Sequence, residues 1–257
     1  MEGLSKTQQK KILKRERIQE KYRKQKEAKK SHQQGDANVQ FSTKIDDGIR
    51  PIRQERNAMF RADFESQCEG GPVLVIDCDW GDKMTDKETL SLTQQIMYSY
   101  SAIKNSKRPV RLWIVGASEK QRELIKKLPG SDSWYVFITN KTLAELGQET
   151  KSAIYLTADA EDILNIETVG SDSMLVIGGI VDRNRHKNAT LYKAEELGMR
   201  TAQLPIGEFM QLKTSKVLTV NHVVEILVHA QHDNDWNGAI QRVIPDRKRD
   251  EADSDPS

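Results

Sequence analysis

Short apolar runs alternate with amphipathic stretches along most of the chain after residue 72. Runs of four to six residues, rich in β-branched and aromatic side chains, predict strands at residues 73–76, 111–115, 134–139, 153–156, 174–177 and 201–204. Apolar positions at helical spacing predict helices at residues 86–104, 118–128, 142–146, 160–166, 189–197, 216–230 and 233–243. This alternation indicates an α/β fold, in which helices cover both faces of a parallel sheet.

The chain before residue 72 has a different composition and sets the predicted domain limits. Residues 1–40 are predicted to form a basic arm, flexible or helical, and residues 41–71 a connecting segment whose signals are mixed. The turn-forming residues Gly70, Gly71 and Pro72 mark the start of the main domain, residues 72–248. Residues 249–257 form a charged tail.

Positive charge is concentrated at the amino terminus, although the 257-residue chain has a net charge of only +2. Residues 1–30 hold twelve Lys or Arg against four Glu, a local charge of +8, so the rest carries −6. A basic arm favours a polyanionic partner, because each phosphate that it neutralises releases counterions. Under this interpretation Lys10, Lys11, Lys14 and Arg15 are RNA-binding candidates. A solvated extension that aids solubility is the alternative.

Several other classes of protein receive no support from the composition. The two cysteines, Cys68 and Cys78, support neither a disulfide framework nor a zinc site. The spacing of His229, His232 and Asp233 allows a metal site, but these residues are expected to be solvated at a helix end, so no metal is predicted. No apolar run approaches a membrane span, and the amino terminus lacks a signal-peptide core. We therefore expect the protein in the nucleus, the cytoplasm or both.

The segment 174–187 joins a buried strand to a cluster of candidate functional residues. Gly178 and Gly179 end the strand, and a glycine pair allows a sharp turn or close contact between a ligand and the backbone. The carboxylate of Asp182 follows, and after it come Arg183, Asn184, Arg185, His186 and Lys187. A possible proton acceptor thus precedes several cations.

Four segments contain candidate ligand-binding residues, namely 155–159, 177–182, 202–207 and 216–222. No Gly-x-Gly-x-x-Gly or Walker sequence is present, so the common nucleotide-binding motifs are missing. Loops that follow parallel strands meet at one edge of the sheet, so the first three segments can line one pocket. Their apolar residues favour a purine ring and a neutral or cationic cofactor over a triphosphate. Taken singly, each segment is equally compatible with an ordinary turn between strand and helix.

These four segments in this order, with Asp77-Cys78 after the first strand and the ending 236–245, resemble a known family. They are similar to the eukaryotic tRNA methyltransferases that modify N1 of the purine at position nine, a branch of the SPOUT class. The resemblance covers residues 72–248, and the basic arm fits it. It implies a SPOUT fold with a carboxyl-terminal trefoil knot, S-adenosyl-L-methionine as cofactor, tRNA as substrate and a monomeric enzyme.

The resemblance also implies roles for individual residues. Asp182 is the candidate catalytic residue, Asp82 and Gln95 are expected to support the site, and Arg183, Arg185 and Lys187 are expected to bind RNA phosphates. The implied cofactor-binding residues are Leu156, Thr157, Gly178, Gly179, Arg183, Asn184, Arg185, His186, Lys187, Leu204, Pro205, Val217, Leu218 and Thr219.

The chemistry gives Asp182 two possible tasks. Guanine N1 becomes nucleophilic when its proton leaves, so a carboxylate within hydrogen-bond reach serves as a general base. Adenine N1 already has a lone pair, and there Asp182 would only orient the base. A third interpretation makes Asp182 a loop cap or an ion-pair partner of Arg183 or Arg185. Position nine lies in the folded core of tRNA, so the target base must leave its stack.

Two other functions are compatible with parts of the sequence. A catalytically silent tRNA-binding protein would keep the same fold. The sequence Asp77-Cys78-Asp79 also resembles the first motif of haloacid-dehalogenase-type phosphatases, which bind magnesium. That motif normally has an apolar residue or Thr where this chain has Gly81, which makes the phosphatase the least favoured reading.

Overall fold

The computed structural model describes residue 20 and residues 46–182, 185–211 and 218–244, with backbone alone at residues 46–54, 56 and 82. The chain divides into two compact units, residues 1–54 and residues 55–257. In the first unit the described part is residue 20 and the opening turns of helix α1 (Asp46–Cys68). Lys10, Lys11, Lys14 and Arg15 lie outside the described residues, and the predicted domain limits stay a prediction.

Six parallel strands form one sheet in the second unit. They are β1 (Val73–Asp77), β2 (Arg111–Val115), β3 (Phe137–Ile138), β4 (Ile154–Leu156), β5 (Met174–Gly178) and β6 (Arg200–Ala202). Their order is β3-β2-β1-β5-β4-β6. The central strand β1 pairs with β2 and with β5 along its whole length. The predicted parallel sheet is confirmed, whereas the trefoil knot stays a prediction.

Helices follow the strands, and four of them begin after a residue whose side chain caps the first turn. They are α2 (Asp86–Lys104), α3 (Glu119–Lys126), α4 (Leu143–Leu146), α5 (Ala189–Glu196), α6 (Ile206–Phe209), α7 (Val220–Asp233) and α8 (Trp236–Val243). Thr85 and Thr142 form capping boxes with Glu88 and Glu145, each three residues later. Ser118 accepts a hydrogen bond from the Gln121 amide, which starts α3 at its predicted place.

Both faces of the sheet are buried, which explains why its strands are continuous apolar runs. Leu74 and Ile76 point to one face, where they pack with apolar residues of α1, α2, α7 and α8. Val73 and Val75 point to the other face, which is covered by residues of α4 and α5 and by Trp80. The prediction of helices on both faces is therefore confirmed.

Several predicted elements differ from the structure, among them the helix predicted at 216–230, which is Val220–Asp233. The segment 160–166 is not a helix, because Leu164 donates its amide hydrogen to Gln203 O (2.9 Å) and Ile163 forms a parallel bridge with Gln203. The strand predicted at 134–139 is only Phe137–Ile138, since the Tyr135 amide donates to the Tyr100 hydroxyl (3.1 Å). The last helix begins at Trp236 instead of residue 233.

Helix α1 occupies most of the connecting segment 41–71, to which the sequence assigned no helix or strand. Phe60, Phe64 and Cys68 recur at every fourth position, and the last two are buried in the core of the second unit. Charged residues surround this narrow stripe and obscure its helical period. Among the described residues, no helix has the length and apolar character that crossing a bilayer requires.

Candidate functional site

A cleft opens at the carboxyl ends of β4, β5 and β6, beside the start of α7. The expected convergence of the strand-end segments is therefore seen, and the segment before α7 joins them. The cleft is lined by six of the residues predicted to bind a cofactor, namely Leu156, Thr157, Gly178, His186, Leu204 and Leu218. Asp182, the candidate catalytic residue, also lines it.

The lining of the cleft combines aliphatic walls with a few polar groups. Leu156, Leu204 and Leu218 provide apolar surface, while Asp159 and Asp182 provide carboxylates. Such a cleft suits a ligand that has a flat apolar ring at one part and a positive charge at another.

The glycine pair at the end of β5 is required by crowding behind the cleft. Gly179 donates its amide hydrogen to Asp77 O (2.7 Å), and a Cβ atom at Gly179 would lie 2.6 Å from that oxygen. A Cβ atom at Gly178 would lie 2.5 Å from Thr190 Cγ2. Gly178 lines the cleft, whereas Gly179 packs against the end of β1. The close backbone approach that the sequence indicated therefore occurs here between two segments of the protein.

Asp182 is held in a turn and is only 8% exposed. Its carboxylate Oδ2 accepts a hydrogen bond from the His186 amide (2.8 Å), and its backbone oxygen accepts one from Arg185 Nε (2.9 Å). The guanidinium of Arg185 extends further, to Glu88 Oε2 of α2 (2.8 Å). Asp182 thus caps its own loop, as one interpretation expected, and this bond fixes the direction of its carboxylate in the cleft.

Gln95 supports the cleft from behind. It is buried in α2, and its Oε1 accepts a hydrogen bond from the Val220 amide (2.9 Å) at the first turn of α7. The hydroxyl of Thr219 donates to Asn221 Oδ1 (2.9 Å), so it is Gln95 that caps the Val220 amide. This bond positions the start of α7, which places Leu218 in the cleft wall.

The remaining predicted residues are arranged as follows. Pro205 is buried and immediately precedes α6, and Lys187 is exposed and lines a second cleft. Arg183, Asn184 and Val217 lie outside the described residues, as does the side chain of Asp82.

Sequence reasoning missed a buried ionic network around Asp77. The Asp77 carboxylate is 0% exposed, and it accepts hydrogen bonds from Tyr155 OH (2.7 Å) and the Asp79 amide (3.0 Å). Lys193 Nζ lies 2.8 Å from Asp77 Oδ2. Burial raises the pKa of Asp77, while Lys193 and the Tyr155 hydrogen bond oppose the rise. The phosphatase interpretation requires an accessible carboxylate as nucleophile, and a carboxylate enclosed in this way cannot serve as one.

The three residues whose spacing allowed a metal site, His229, His232 and Asp233, take part in a local hydrogen-bonded cluster between α7 and α8. Arg242 NH1 lies 3.1 Å from His229 Nδ1 and 3.4 Å from Asp233 Oδ2, and His232 contacts Asp233. Burial, with the Arg242 charge beside it, lowers the pKa of His229. A guanidinium at this position disfavours a bound cation.

The parallel sheet and the cleft at its strand ends fit a methyltransferase of the SPOUT class, the fold that the resemblance implied. The family described as tRNA (guanine(9)-N(1))-methyltransferase TRM10/TRM10A matches residues 2–249, and the chain belongs to this family.

Individual relatives agree with this assignment. A tRNA (guanine(9)-N1)-methyltransferase of Kluyveromyces lactis is 30% identical over 250 residues, which cover 96% of this chain and 83% of the relative. Its counterpart in Eremothecium gossypii is 34% identical over 256 residues, with the same coverage of 96% and 83%. The crystal structure of full-length spTrm10 with SAH superposes with a TM-score of 0.62 at 35% identity, over 69% of this chain and 97% of that one.

Proposed function

We infer that this chain transfers the methyl group of S-adenosyl-L-methionine to N1 of the guanine at position nine of tRNA. The observation that carries the inference is the buried carboxylate of Asp182 in a cleft at the strand ends of a chain that matches the guanine(9)-N1 family over residues 2–249. The names of the relatives favour guanine over adenine, which the sequence alone left open.

The residues of the cleft fit S-adenosyl-L-methionine. Leu156, Leu204 and Leu218 offer apolar contact for an adenine ring, and Asp159 and Asp182 complement positive charge on the cofactor. When bound, the cofactor would supply a methyl group on a sulfonium, to which an in-line nucleophile can bond while the thioether SAH leaves. SAH, its demethylated product, is the ligand in the similar spTrm10 crystal structure.

Asp182 is the residue that we assign to the proton of guanine N1. That proton has to leave before N1 can act as a nucleophile, and a carboxylate within hydrogen-bond reach can accept it. The His186 amide on Oδ2 fixes the side chain, so it does not have to be ordered during the reaction. Adenine offers no N1 proton, so this role matches a guanine substrate.

The first test is methyl transfer from labelled S-adenosyl-L-methionine to two transcripts of one tRNA, with guanosine or adenosine at position nine. We expect label on the guanosine transcript and none on the adenosine transcript, because the relatives are named for guanine at this position. Equal labelling of both would contradict the guanine specificity. A lack of label on both, with cofactor binding intact, would replace the enzyme by the silent tRNA-binding protein.

We further propose that the chain acts as a monomer, in the nucleus or the cytoplasm. Support for the monomer comes from the cleft, whose walls combine four segments of a single chain. Light scattering on the purified protein should give the chain mass of 29.3 kDa, and after addition of tRNA it should give the mass of one chain plus one tRNA. A mass twice as large for the free protein would refute the monomer, and a fluorescent fusion would test the compartment.

A further inference from the structure

A second cleft adjoins the first, and most of the residues that line it have no part in the proposed reaction. It lies between the segment after β1 and the outer side of α5, and its lining includes Trp80, Lys83, Lys187, Tyr192, Lys193 and Glu196. His186 and Ala189 line both clefts, so the segment 186–189 is a wall that they share. A ligand in the second cleft is therefore a neighbour of the ligand in the first.

The second cleft presents an aromatic ring beside cations. Tyr192 is 58% exposed, so its ring is accessible to a ligand in the second cleft. Lys83 and Lys187 are exposed too, and neither forms an ion pair within the part of the chain that the structure describes. Lys83 Nζ lies 5.3 Å from the centroid of the Trp80 ring. An exposed aromatic ring with ammonium groups near it can bind a nucleotide, by stacking on its base and pairing with its phosphate.

The charges give the bound nucleotide a direction. Lys193 is committed to the carboxylates of Asp77 and Asp79, at 2.8 and 3.3 Å. Glu196 stands one helical turn after Tyr192, so a phosphate at that end would meet a negative charge. The phosphate therefore belongs beside Lys83 and Lys187, and the base belongs beside Tyr192.

We propose that the second cleft binds a nucleotide of the tRNA strand next to the target guanine, with its base on Tyr192 and its phosphate between Lys83 and Lys187. This proposal rests on the proposed function, because the target base must leave its stack to reach the first cleft. When the target guanine leaves its stack, the neighbouring base loses its stacking contact. An aromatic side chain beside the shared wall replaces that contact.

The test is tRNA binding by fluorescence polarisation, with SAH present and at several salt concentrations. Tyr192→Ala should raise the tRNA Kd about tenfold, and Tyr192→Phe should restore it, because phenylalanine keeps the stacking face. Lys187→Gln should reduce the slope of log Kd against log salt by about 1. Tyr98→Ala is the matched control, since Tyr98 is a 52% exposed tyrosine of α2 that lines neither cleft, and it should leave the Kd unchanged.

The binding of SAH to each variant checks that the first cleft is intact. If Tyr192→Ala lost SAH binding, the other two variants would decide the test. The proposal then requires a normal tRNA Kd for Tyr192→Phe and a reduced salt slope for Lys187→Gln. A tRNA Kd within twofold of wild type for Tyr192→Ala, with SAH bound, would overturn the proposal. If the wild-type protein labels the guanosine transcript and Tyr192→Ala keeps its tRNA affinity, only the nucleotide site in the second cleft is refuted, and the proposed methyl transfer stands. If Tyr192→Ala loses tRNA affinity but the wild-type protein transfers no label to the guanosine transcript, the proposed methyl transfer is refuted and nucleotide binding in the second cleft is supported.

Discussion

Replacing Asp182 with Asn is expected to slow single-turnover methyl transfer to the guanosine transcript by about 10²- to 10⁴-fold, the usual contribution of a general base. Asparagine keeps the size of the side chain and can still accept the hydrogen bond of the His186 amide, which in the wild type is 2.8 Å long. It cannot take up the N1 proton. The rate is measured by rapid quench with saturating enzyme and cofactor, so that binding does not limit it.

The response to pH separates a lost base from a distorted loop. Without a base, transfer depends on the fraction of guanine that ionises unaided, and that fraction grows with pH, so the deficit of Asp182→Asn should shrink as the pH rises. Asp159→Asn removes a second carboxylate of the same cleft and should weaken cofactor binding, with a ratio to the wild-type rate that does not change with pH. A pH-independent deficit in Asp182→Asn would leave Asp182 an orienting residue only.

Replacing Lys193 with Met is expected to lower the free energy of unfolding by about 3–5 kcal/mol at neutral pH, because it leaves a buried carboxylate without its cation. Asp77 is 0% exposed and the Lys193 side chain is 15% exposed, so water cannot replace the lost partner. Urea denaturation followed by tryptophan fluorescence measures the change. Lys126→Met is the matched control, because it breaks a pair with Glu123 whose side chains are 72% and 51% exposed, and it should cost less than about 1 kcal/mol.

The pH dependence of this loss has a definite sign. Burial raises the pKa of Asp77 above 3.8 although Lys193 opposes the rise, so removing Lys193 raises the pKa further. A group whose pKa is higher in the folded state contributes stability that is fully present below the unfolded value and is lost as the pH rises through the folded value. The cost of Lys193→Met should therefore shrink towards acidic pH, and Asp77→Asn in the same chain should recover part of it. Equal losses for Lys193→Met and Lys126→Met would contradict the network.

Local signals were sufficient to place most of the fold. Helix α2 has its predicted limits, because its capping Thr85 and its apolar stripe are both encoded within twenty residues of sequence. The segment 160–166 has apolar residues at helical spacing, yet its backbone pairs with Gln203 far along the chain. Nothing within the segment itself reveals that partner, so a correct pattern gave a wrong element.

The candidate site, like the fold, was predicted from the sequence only in part. Parallel strands bring their carboxyl ends to one edge, so the convergence of the segments around Leu156, Asp182 and Leu204 followed from the strand assignments. The partners of Asp77 are Tyr155, 78 residues away, and Lys193, 116 residues away. Gln95 and Val220 are 125 residues apart. Such pairs depend on how the helices pack on the sheet, and a single sequence has no local pattern that specifies them.

Helix α2 does not line the first cleft, yet it sets the distance between two of its walls. Glu88 binds Arg185 beyond the loop of Asp182, and Gln95, seven residues further along α2, binds the start of α7. Two helical turns separate these contacts by about 10 Å, a fixed length because every backbone bond between them is helical. One residue inserted between Glu88 and Gln95 would rotate the second contact by about 100° relative to the first, so only one of the two walls could keep its support. The number of residues between Glu88 and Gln95 is therefore fixed by the cleft, whereas point substitutions on the exposed side of α2 leave this number unchanged.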